Sequence, residues 1–505
     1  MASSEQPVLI LGAGINGAAL ARELVLNRVS VTLVDIGDIC SGTSAYSSRL
    51  IHGGLRYLEY GEFDLVRESL EERNRLLRLA PQFVRPLRLF IPVSNRWGGW
   101  ATQATRFLGL PARSASNRGR GLYVVRAGLW MYDRYARGSS LPPQSLHVPG
   151  DAGVPNITSS DVRWLCSYSD AQIQQPERFV VALLRDAAEI ASQYGVAFQV
   201  VTYHEAIRRG DQIGLHSVAR RENEPETTLT PAAIVNATGA WVDETLRRLH
   251  LPSGQLVGGT KGSHFVTFNA RLRTALRGGG IYTEAEDGRP IFILPFGEGS
   301  LIGTTDLPFQ GDPANAVASD LELDYLVAAV NRNFLDAKLS RADIALHYSG
   351  VRPLPRVAAG ATAAITRRHL WRWHPESKVP MVSLIGGKLT TCRAFAEQTV
   401  QELLPKMGRE VQTTTRERPL LDEPLPSDLR SAARHAIRQQ WATTLSDLVE
   451  RRLMLLFEPS LSVSMLQQLA AVLVNEQRLA SDKVAAEIER FRTRLLQHFG
   501  RRLDS

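Results

Sequence analysis

The sequence predicts an α/β protein with three parts: a domain assembled from separated segments of the chain, a mixed, mainly antiparallel sheet, and a C-terminal helical domain. Three observations support this prediction. A short apolar strand, a glycine turn and a helix follow one another from Val8, and a second strand ends in an acid at Asp35. Strand, small-residue turn and helix recur at 232–249 and at 381–404, with strand-like segments between them. The region 427–502 has only helical spacing.

The first element is a βαβ unit with a GxGxxG motif at Gly12, Gly14 and Gly17, directly between strand and helix. The first glycine permits the turn, the second lets the backbone approach a pyrophosphate, and the third allows close helix–strand packing. The helix N-terminus offers N–H groups to an anion. Asp35 stands where an acid holds a ribose hydroxyl. The unit predicts dinucleotide binding; the alternative is a glycine-rich turn in an ordinary α/β protein.

Two further turns of this kind favour FAD over a nicotinamide cofactor. NATGAWVD and IGGKLTTCR lie more than two hundred residues beyond the first turn. A cofactor contacted from both ends of the chain is large and deeply buried, whereas a nicotinamide must leave after each turnover. We therefore expect an FAD-binding Rossmann-like domain built from discontinuous segments.

The predicted domain boundaries follow from these patterns. They are 1–90, the first segment of the FAD-binding domain; 91–150, a basic, loop-rich segment; 151–260, the second FAD-binding segment; 261–350, the substrate-binding sheet domain; 351–417, the return to the FAD-binding domain and active site; and 418–505, the C-terminal helical domain. A helix with a glycine stop is predicted at 176–195. Ser427 and Ser460 are the predicted caps of C-terminal helices.

Composition bounds the class of protein. The chain has 505 residues, 44% of them hydrophobic and 22% charged, as in a soluble globular protein with more than one core. The three cysteines form no CxxC, so their spacing supports neither a disulfide framework nor a zinc site, and we expect no metal. The sequence shows no signal peptide and no apolar run of about 18 residues. We expect a cytoplasmic protein.

Positive charge is concentrated in the segment 73–131, which has eleven arginines and no Asp or Glu. Trp97, Trp100, Phe107 and Trp130 lie among these arginines. Cations interleaved with aromatic rings suit peripheral contact with an anionic membrane surface. The alternative is a solvated basic face that also holds an anionic cofactor. Nucleic acid is less favoured, and we expect none.

Several sequence blocks together indicate a family. GAGINGAALARE, SGTSAYSSRLIHGGLRYLEYGEF, NATGAWVD, KGSHFV, IGTTD, YSGVRPL and GGKLTT occur in this order. The chain resembles the FAD-dependent glycerol-3-phosphate dehydrogenases, the quinone-linked respiratory enzymes, which are close relatives of the α-glycerophosphate oxidases. It departs from the usual pattern at Asp35, where Glu is more common, and at Arg49, where Lys is.

The resemblance implies a set of cofactor contacts. Hydroxyls of the SGTSAYSS loop would serve the FAD pyrophosphate and flavin, the HGG glycines would let the backbone run past the ring, and the GGKLT loop would meet the flavin pyrimidine edge. The predicted cofactor-binding residues are Gly12, Gly14, Gly17, Asp35, Thr43, Ser44, Ser47, Ser48, Leu50, Gly53, Gly54, Ala237, Thr238, Gly239, Gly387, Lys388, Leu389 and Thr390.

The substrate implied by the resemblance is a phosphate monoester, which guanidinium groups bind bidentately. Arg56, Arg352 and Arg367 are the candidates by motif position, although Arg368 adjoins Arg367 and either of them is a possible ligand. Lys261 in the KGSH block adds a further cation, or is a solvated lysine at a strand entry. Tyr57 lines the pocket or begins the packing of the following helix.

Oxidation of a secondary alcohol requires a base for the hydroxyl proton. His52 and His264 are the candidate bases, and a satisfied core histidine is the alternative for His264. Arg352 is a candidate to stabilise the alkoxide. Lys388 would stabilise negative charge on the reduced flavin, because lysine occurs at only six positions of this arginine-rich chain.

The predicted activity is oxidation of sn-glycerol 3-phosphate to dihydroxyacetone phosphate with FAD, electrons passing to ubiquinone or menaquinone at the inner face of the cell membrane. The first alternative is an α-glycerophosphate oxidase that uses O2. A flavin-dependent amine or amino-acid oxidase is a more distant alternative, and a basic flavoprotein that binds nucleic acid or a membrane without turnover is the non-enzyme one. A homodimer is possible.

Overall fold

The computed structural model describes residues 6–97, 121–136, 138–218, 227–252, 254–356, 368–421 and 423–503. Its strands are β1 (Val8–Leu11), β2 (Val31–Val34), β3 (Leu50–Ile51), β4 (Val84–Val93), β5 (Ser145–His147), β6 (Trp164–Ile173), β7 (Phe198–Val201), β8 (His204–Arg209), β9 (Gln212–Ser217), β10 (Thr227–Leu229), β11 (Ala233–Asn236), β12 (Thr260–Thr267), β13 (Gly280–Glu284), β14 (Pro290–Phe296), β15 (Gly299–Gly303), β16 (Leu307–Pro308), β17 (Ile344–Arg352), β18 (Leu370–Trp373) and β19 (Met381–Ile385).

The helices surround two large sheets. They are α1 (Ile15–Leu26), α2 (Phe63–Leu79), α3 (Leu122–Tyr135), α4 (Pro176–Tyr194), α5 (Val242–Arg248), α6 (Ala270–Leu276), α7 (Asp320–Asn333), α8 (Cys392–Lys406), α9 (Leu429–Gln439), α10 (Val463–Asn475) and α11 (Val484–Phe499). Helix α4 ends at Gly195 in the left-handed conformation, as the glycine stop predicts.

The first sheet has the strand order β18-β19-β11-β1-β2-β7 within the described residues, and its strands are parallel except for the edge strand β18. Strands β1, β2, β11 and β19 are entirely buried, as is typical of parallel strands covered on both faces. Helices α1, α4 and α8 pack together beside the sheet. Strands from residue 8, residue 233 and residue 381 are thus neighbours, which confirms that the FAD-type domain is assembled from discontinuous segments.

The second sheet has the order β16-β12-β15-β14-β13-β4-β6-β3 among the described strands, with β17 paired to β12 and β5 to β6. Its pairs are antiparallel except β4 with β13, which confirms the mixed, mainly antiparallel prediction. The predicted boundaries placed β6 and most of β4 in the FAD-binding segments. The structure places both strands in the second sheet, because they pair with each other over ten residues, a contact that local sequence patterns do not show.

The segment 91–150 differs from the prediction of loops and short elements, because it contains the 14-residue helix α3. Leu122, Val125, Leu129 and Tyr132 form the buried side of this helix at helical spacing. The predicted basic surface lies partly outside the described residues, including Trp100 and Phe107. Trp97 and Trp130 are described, with 68% and 62% of their surface exposed. In the described part of the chain, no helix is both long and apolar enough to cross a membrane.

The C-terminal part is helical, as predicted. Its caps are Asp428, which accepts a hydrogen bond from the Ser431 amide, and Ser462, which accepts one from Met465. The predicted caps Ser427 and Ser460 were therefore wrong by one and two residues. A six-residue π-helical segment, Asp447–Arg452, lies between α9 and α10. The hydrophobic core of this part is continuous with that of the second sheet.

Candidate active site

The glycine turn has the geometry that a dinucleotide requires. Gly12 has φ +105°, and a Cβ on it would lie 2.6 Å from the carbonyl oxygen of Ala237. A Cβ on Gly17 would lie 1.9 Å from the Gly12 carbonyl oxygen, so helix α1 and β1 need a glycine there. At Gly14 the nearest heavy atom to such a Cβ is the Ser44 hydroxyl oxygen at 3.3 Å, which leaves a backbone surface open to a ligand.

A cavity of about 1420 Å³ begins at this turn and extends between the two sheets and the C-terminal helices. Ligand pockets usually have volumes of roughly 300–1,000 Å³, so this cavity can hold a dinucleotide together with a substrate. The cofactor candidates that line it are Gly12, Gly14, Asp35, Thr43, Ser44, Ser47, Ser48, Leu50, Ala237, Thr238, Gly239, Gly387, Lys388, Leu389 and Thr390. His52, Tyr57 and Arg352 line it as well.

Asp35 lies beside the glycine turn, where the sequence places the ribose-binding acid. Its Oδ2 accepts the Ala13 amide at 2.6 Å and its Oδ1 accepts the Gly37 amide at 2.8 Å. Burial raises the pKa of Asp35 to about 6, although the two amide hydrogen bonds act in the opposite direction. The carboxylate of Asp35 is thus fixed against the glycine turn, and the residue lines the cavity.

The loop 43–48 forms the facing wall and is tied to strand β17. The Thr43 hydroxyl donates to the Val351 carbonyl at 2.7 Å, and the Tyr348 hydroxyl donates to the Ser47 carbonyl at 2.9 Å. Arg49 ends the loop as a fully buried guanidinium in an ion pair with Glu177 at 2.5 Å. These contacts hold the loop against strand β17, where its residues line the cavity.

The GGKLT turn meets the start of helix α1. Gly386 and Gly387 have φ +78° and +88°, and the Asn16 side-chain amide donates to the Gly386 carbonyl at 3.1 Å. The ammonium nitrogen of Lys388 lies 4.0 Å from the ring centroid of Tyr57, a cation–π contact. The His52 amide donates to the Thr390 hydroxyl at 3.2 Å. Two sequence blocks more than three hundred residues apart therefore share one wall.

Arg352 brings a fixed guanidinium into the cavity. Its Nη1 donates to Asp306 Oδ1 at 2.8 Å, and its Nη2 donates to the Thr304 hydroxyl at 3.1 Å. Its side chain is 22% exposed. Thr304 and Asp306 thus support Arg352 from the turn that follows β15.

Comparisons with known proteins agree with this geometry. A model of the FAD-dependent oxidoreductase family matches residues 7–393. A glycerol-3-phosphate dehydrogenase of Synechocystis is 35% identical over 436 residues, which are 83% of this chain and 73% of that protein. The chain belongs to the FAD-dependent glycerol-3-phosphate dehydrogenase family. The resemblance drawn from the sequence blocks, the fold class and the FAD cofactor are thereby confirmed.

Other similar proteins differ in the substrate that their names give. A D-erythritol 1-phosphate dehydrogenase of Brucella abortus is 33% identical over 409 residues, 79% of this chain and 74% of that protein. The solved glycerol-3-phosphate dehydrogenase of Bacillus halodurans, complexed with FAD, has a TM-score of 0.70 at 18% identity and covers 99% of this chain and 96% of its own. Relatives at similar identity thus carry names with different phosphorylated substrates, and the fold is that of the FAD-complexed Bacillus halodurans structure.

The residues that line the cavity fit FAD. The open backbone at Gly14 and the N-terminus of α1 suit the pyrophosphate, and the carboxylate of Asp35 suits a ribose hydroxyl. Lys388 places a positive charge at the third turn. When bound, FAD supplies the acceptor for a hydride.

The HGG glycines have a different environment from the one predicted. The Gly53 amide donates to the Tyr132 hydroxyl at 2.9 Å, and a Cβ on Gly53 would lie 2.5 Å from Leu70. Gly54 has φ +76°, and its Cβ would lie 2.1 Å from the Tyr57 ring. Both glycines are buried and neither lines the cavity, so in this structure they are needed for packing, Gly53 against Leu70 and Gly54 against the cavity-lining Tyr57.

The two candidate histidines occupy different positions in this flavoenzyme. His52 is half-buried and lines the cavity. His264 is buried, its Nε2 is hydrogen-bonded to the Ser48 hydroxyl at 2.9 Å, and its ring stacks on Tyr348 at 5.1 Å. Burial lowers the pKa of His264 well below its ordinary value, and Arg352 and Arg49 lower it further. The geometry therefore favours His52 as the group that meets substrate.

Two predicted substrate ligands, Lys261 and Arg56, lie outside the cavity lining. Lys261 is outside the cavity lining, and its ammonium is paired with Glu322 at 2.7 Å. Arg56 is half-buried on the helical turn Leu55–Tyr60, also outside the lining. Arg367 is outside the described residues, whereas Arg368 lines the cavity mouth and lies 3.6 Å from Asp64.

Sequence reasoning missed the contribution of the C-terminal helices to the FAD cavity. Thr444, Ser446, Arg451, Arg490, Arg494, His498 and Phe499 line it. Arg451 and Arg452 also bind Asp38, three residues beyond Asp35, with contacts of 2.6 and 2.7 Å. The only sequence feature that could have indicated this contact is ERR at 450–452, and in a chain with so many arginines a pair of them is not distinctive.

Proposed function

We propose that this flavoenzyme oxidises sn-glycerol 3-phosphate to dihydroxyacetone phosphate and passes the electrons to a membrane quinone. The observation that carries the substrate class is Arg352, a guanidinium held by Asp306 and Thr304 at the cavity wall that also presents His52 and Lys388. A fixed guanidinium fork suits a phosphate or an alkoxide oxygen.

The proposal assigns a role to each side chain of the site. Arg352 orients the substrate and stabilises charge on the reacting oxygen. His52 accepts the hydroxyl proton as the hydride leaves carbon. Lys388, held over the Tyr57 ring, keeps positive charge at the third turn.

The test is anaerobic mixing of the FAD-loaded protein with sn-glycerol 3-phosphate while the flavin absorbance is recorded. We expect rapid bleaching with sn-glycerol 3-phosphate, slower bleaching with D-erythritol 1-phosphate, and none with glycerol. Faster bleaching by the four-carbon phosphate would assign the chain to that substrate instead. Absence of bleaching with either phosphate would refute the proposal.

Variants of two arginines make the test specific. Arg352→Met is expected to abolish rapid bleaching while FAD stays bound. Arg341→Met is the matched control, because Arg341 lies on the surface and pairs with Asp320 and Asp324. Equal loss in both variants would contradict the role of Arg352.

The electron acceptor and the membrane contact are separate parts of the proposal. Trp97, Trp130 and Tyr123 are exposed near the described ends of the basic segment, and they support peripheral binding to an anionic surface. We expect reduced enzyme to be reoxidised by a quinone in anionic vesicles faster than by air. Rapid peroxide formation in air, unaffected by vesicles, would favour the α-glycerophosphate oxidase alternative.

A further inference from the structure

Glu322 belongs to the cap at the start of helix α7, and its carboxylate also contacts residues of the second sheet. It lies at the third position of helix α7, where its Oε2 accepts the Ser319 amide at 2.9 Å in a capping box. Such residues usually lie at the surface, but Glu322 is only 3% exposed. Its other oxygen, Oε1, points into the second sheet.

The carboxylate is satisfied from several sides. Oε1 accepts the hydroxyls of Ser263 and Thr305, each at 2.8 Å. Oε2 accepts the Ser319 hydroxyl at 3.0 Å and is paired with the Lys261 ammonium at 2.7 Å. These partners hold the pKa of Glu322 below its ordinary value although burial raises it. A buried polar network that is satisfied in this way is rigid.

The network continues from Thr305 to Arg352. Thr305 also accepts the Ser263 amide at 2.9 Å, so the turn 304–306 is fastened to β12. Within this turn, Thr304 accepts Nη2 of Arg352 at 3.1 Å and Asp306 accepts Nη1 at 2.8 Å. The guanidinium is therefore held by the turn, and the turn is held by Glu322.

We propose that Glu322 is a positioning residue for Arg352, with Lys261 as its counter-ion rather than as a substrate ligand. Glu322 and Lys261 together fix the direction in which the guanidinium enters the cavity. The inference rests on the substrate-binding role of Arg352 in the proposed function. It accounts for the KGSH, IGTTD and SGVRPL blocks as parts of one structure.

The first test compares Glu322→Gln with Asp343→Asn in the full-length, FAD-loaded enzyme. Asp343 is also the acid of a capping box, with Ser340, but it supports no part of the turn 304–306. We expect Glu322→Gln to raise KM for sn-glycerol 3-phosphate about 10-fold or more, since the amide keeps one acceptor oxygen but loses the second one and the negative charge that pairs with Lys261. FAD affinity is expected to stay the same in both variants, although Glu322→Gln is expected to lower the unfolding midpoint more than Asp343→Asn because it breaks a buried ion pair.

A double-mutant cycle separates positioning from a general structural role. In an Arg352→Met background, Glu322→Gln is expected to change flavin reduction less than about 2-fold, because the group that it positions is gone. The same fold-loss in both backgrounds would overturn the inference. Failure of the wild-type enzyme to be reduced by either phosphate would instead overturn the proposed function.

Thr305 provides a second route if Glu322→Gln does not fold. Thr305→Ser keeps the hydroxyl and is expected to keep the wild-type KM, whereas Thr305→Val has a similar shape and no hydroxyl and is expected to raise it. Equal KM values for the two variants would also overturn the inference.

Discussion

Arg452→Met tests the attachment of the C-terminal helices to the FAD-binding domain. Arg452 is fully buried, and its Nη1 and Nη2 donate to the two oxygens of Asp38 at 2.8 and 2.7 Å, while its Nε donates to the Gln440 carbonyl at 2.9 Å. Asp38 is itself only 1% exposed. The substitution keeps an unbranched side chain in place but removes the charge and all three of these bonds.

The expected loss follows from the charge that is left behind. Removing one member of a buried ion pair costs about 3–5 kcal/mol of unfolding free energy. Arg451 Nε still reaches Asp38 at 2.6 Å, so we expect a value near the lower end, about 3 kcal/mol. Burial raises the pKa of Asp38, but Arg452 and Arg451 outweigh it and hold the pKa below its ordinary value. The pair therefore stabilises the protein above that ordinary value, and the contribution is lost as the pH falls.

Urea unfolding of the FAD-loaded protein at neutral pH is the assay, with FAD release recorded beside tryptophan fluorescence. Arg438→Met is the control, because Arg438 belongs to the same helical part but makes an exposed pair with Glu476. Exposed pairs contribute about 0–1 kcal/mol. The reasoning is refuted if the two variants lose the same stability, or if the loss from Arg452→Met does not diminish toward acidic pH.

Three further predictions concern the cavity. Asp35→Asn should weaken FAD binding, measured by equilibrium dialysis, because the amide oxygen accepts only one of the two backbone amides of Ala13 and Gly37 that the carboxylate accepts; unchanged binding would contradict the role of the carboxylate. Tyr57→Phe should leave the flavin potential nearly unchanged and Tyr57→Leu should shift it, because phenylalanine keeps the ring that contacts the Lys388 ammonium and leucine does not; equal shifts in spectroelectrochemical titration would rule out the cation–π contact. His52→Gln should slow flavin reduction by about 100-fold or more, whereas His264→Gln should slow it much less; the reverse pattern in stopped-flow measurements would make His264 the base.

Local patterns predicted those parts of the fold in which a strand, turn and helix are consecutive. The unit at Val8–Leu26 and the turn at Gly386 are of this kind, because glycine conformation and apolar spacing are encoded within a few residues. Strand β4 was harder to place, because VRPLRLFIPV contains two prolines and two arginines and depends on its pairing with β6. Its partner is about eighty residues away in sequence.

The same distinction holds for the site. Most cofactor candidates line the cavity because each belongs to a short turn with a characteristic composition. The environment of Lys261 was not predictable, because Glu322 lies in DLELDYL, which has the pattern of an ordinary helix start. The contacts made by individual arginines were also not predictable, because the residues that flank Arg452 do not distinguish it from an exposed arginine. Long-range ion pairs are decided by the tertiary fold, and the local sequence carries no record of them.

The strand order of the first sheet has a consequence for biosynthesis. Strand β1 lies between β2 and β11, and β11 lies between β1 and β19. While the ribosome is still translating the codons between residues 35 and 233, strand β1 therefore has β2 on one edge and no partner on the other. The apolar face behind Gly12 is also uncovered. Exposed strand edges of this kind promote misassembly and chaperone binding. Nascent chains released shortly before residue 381 should thus remain chaperone-bound and free of FAD, and chains that extend past Lys406 should be the first to retain the cofactor.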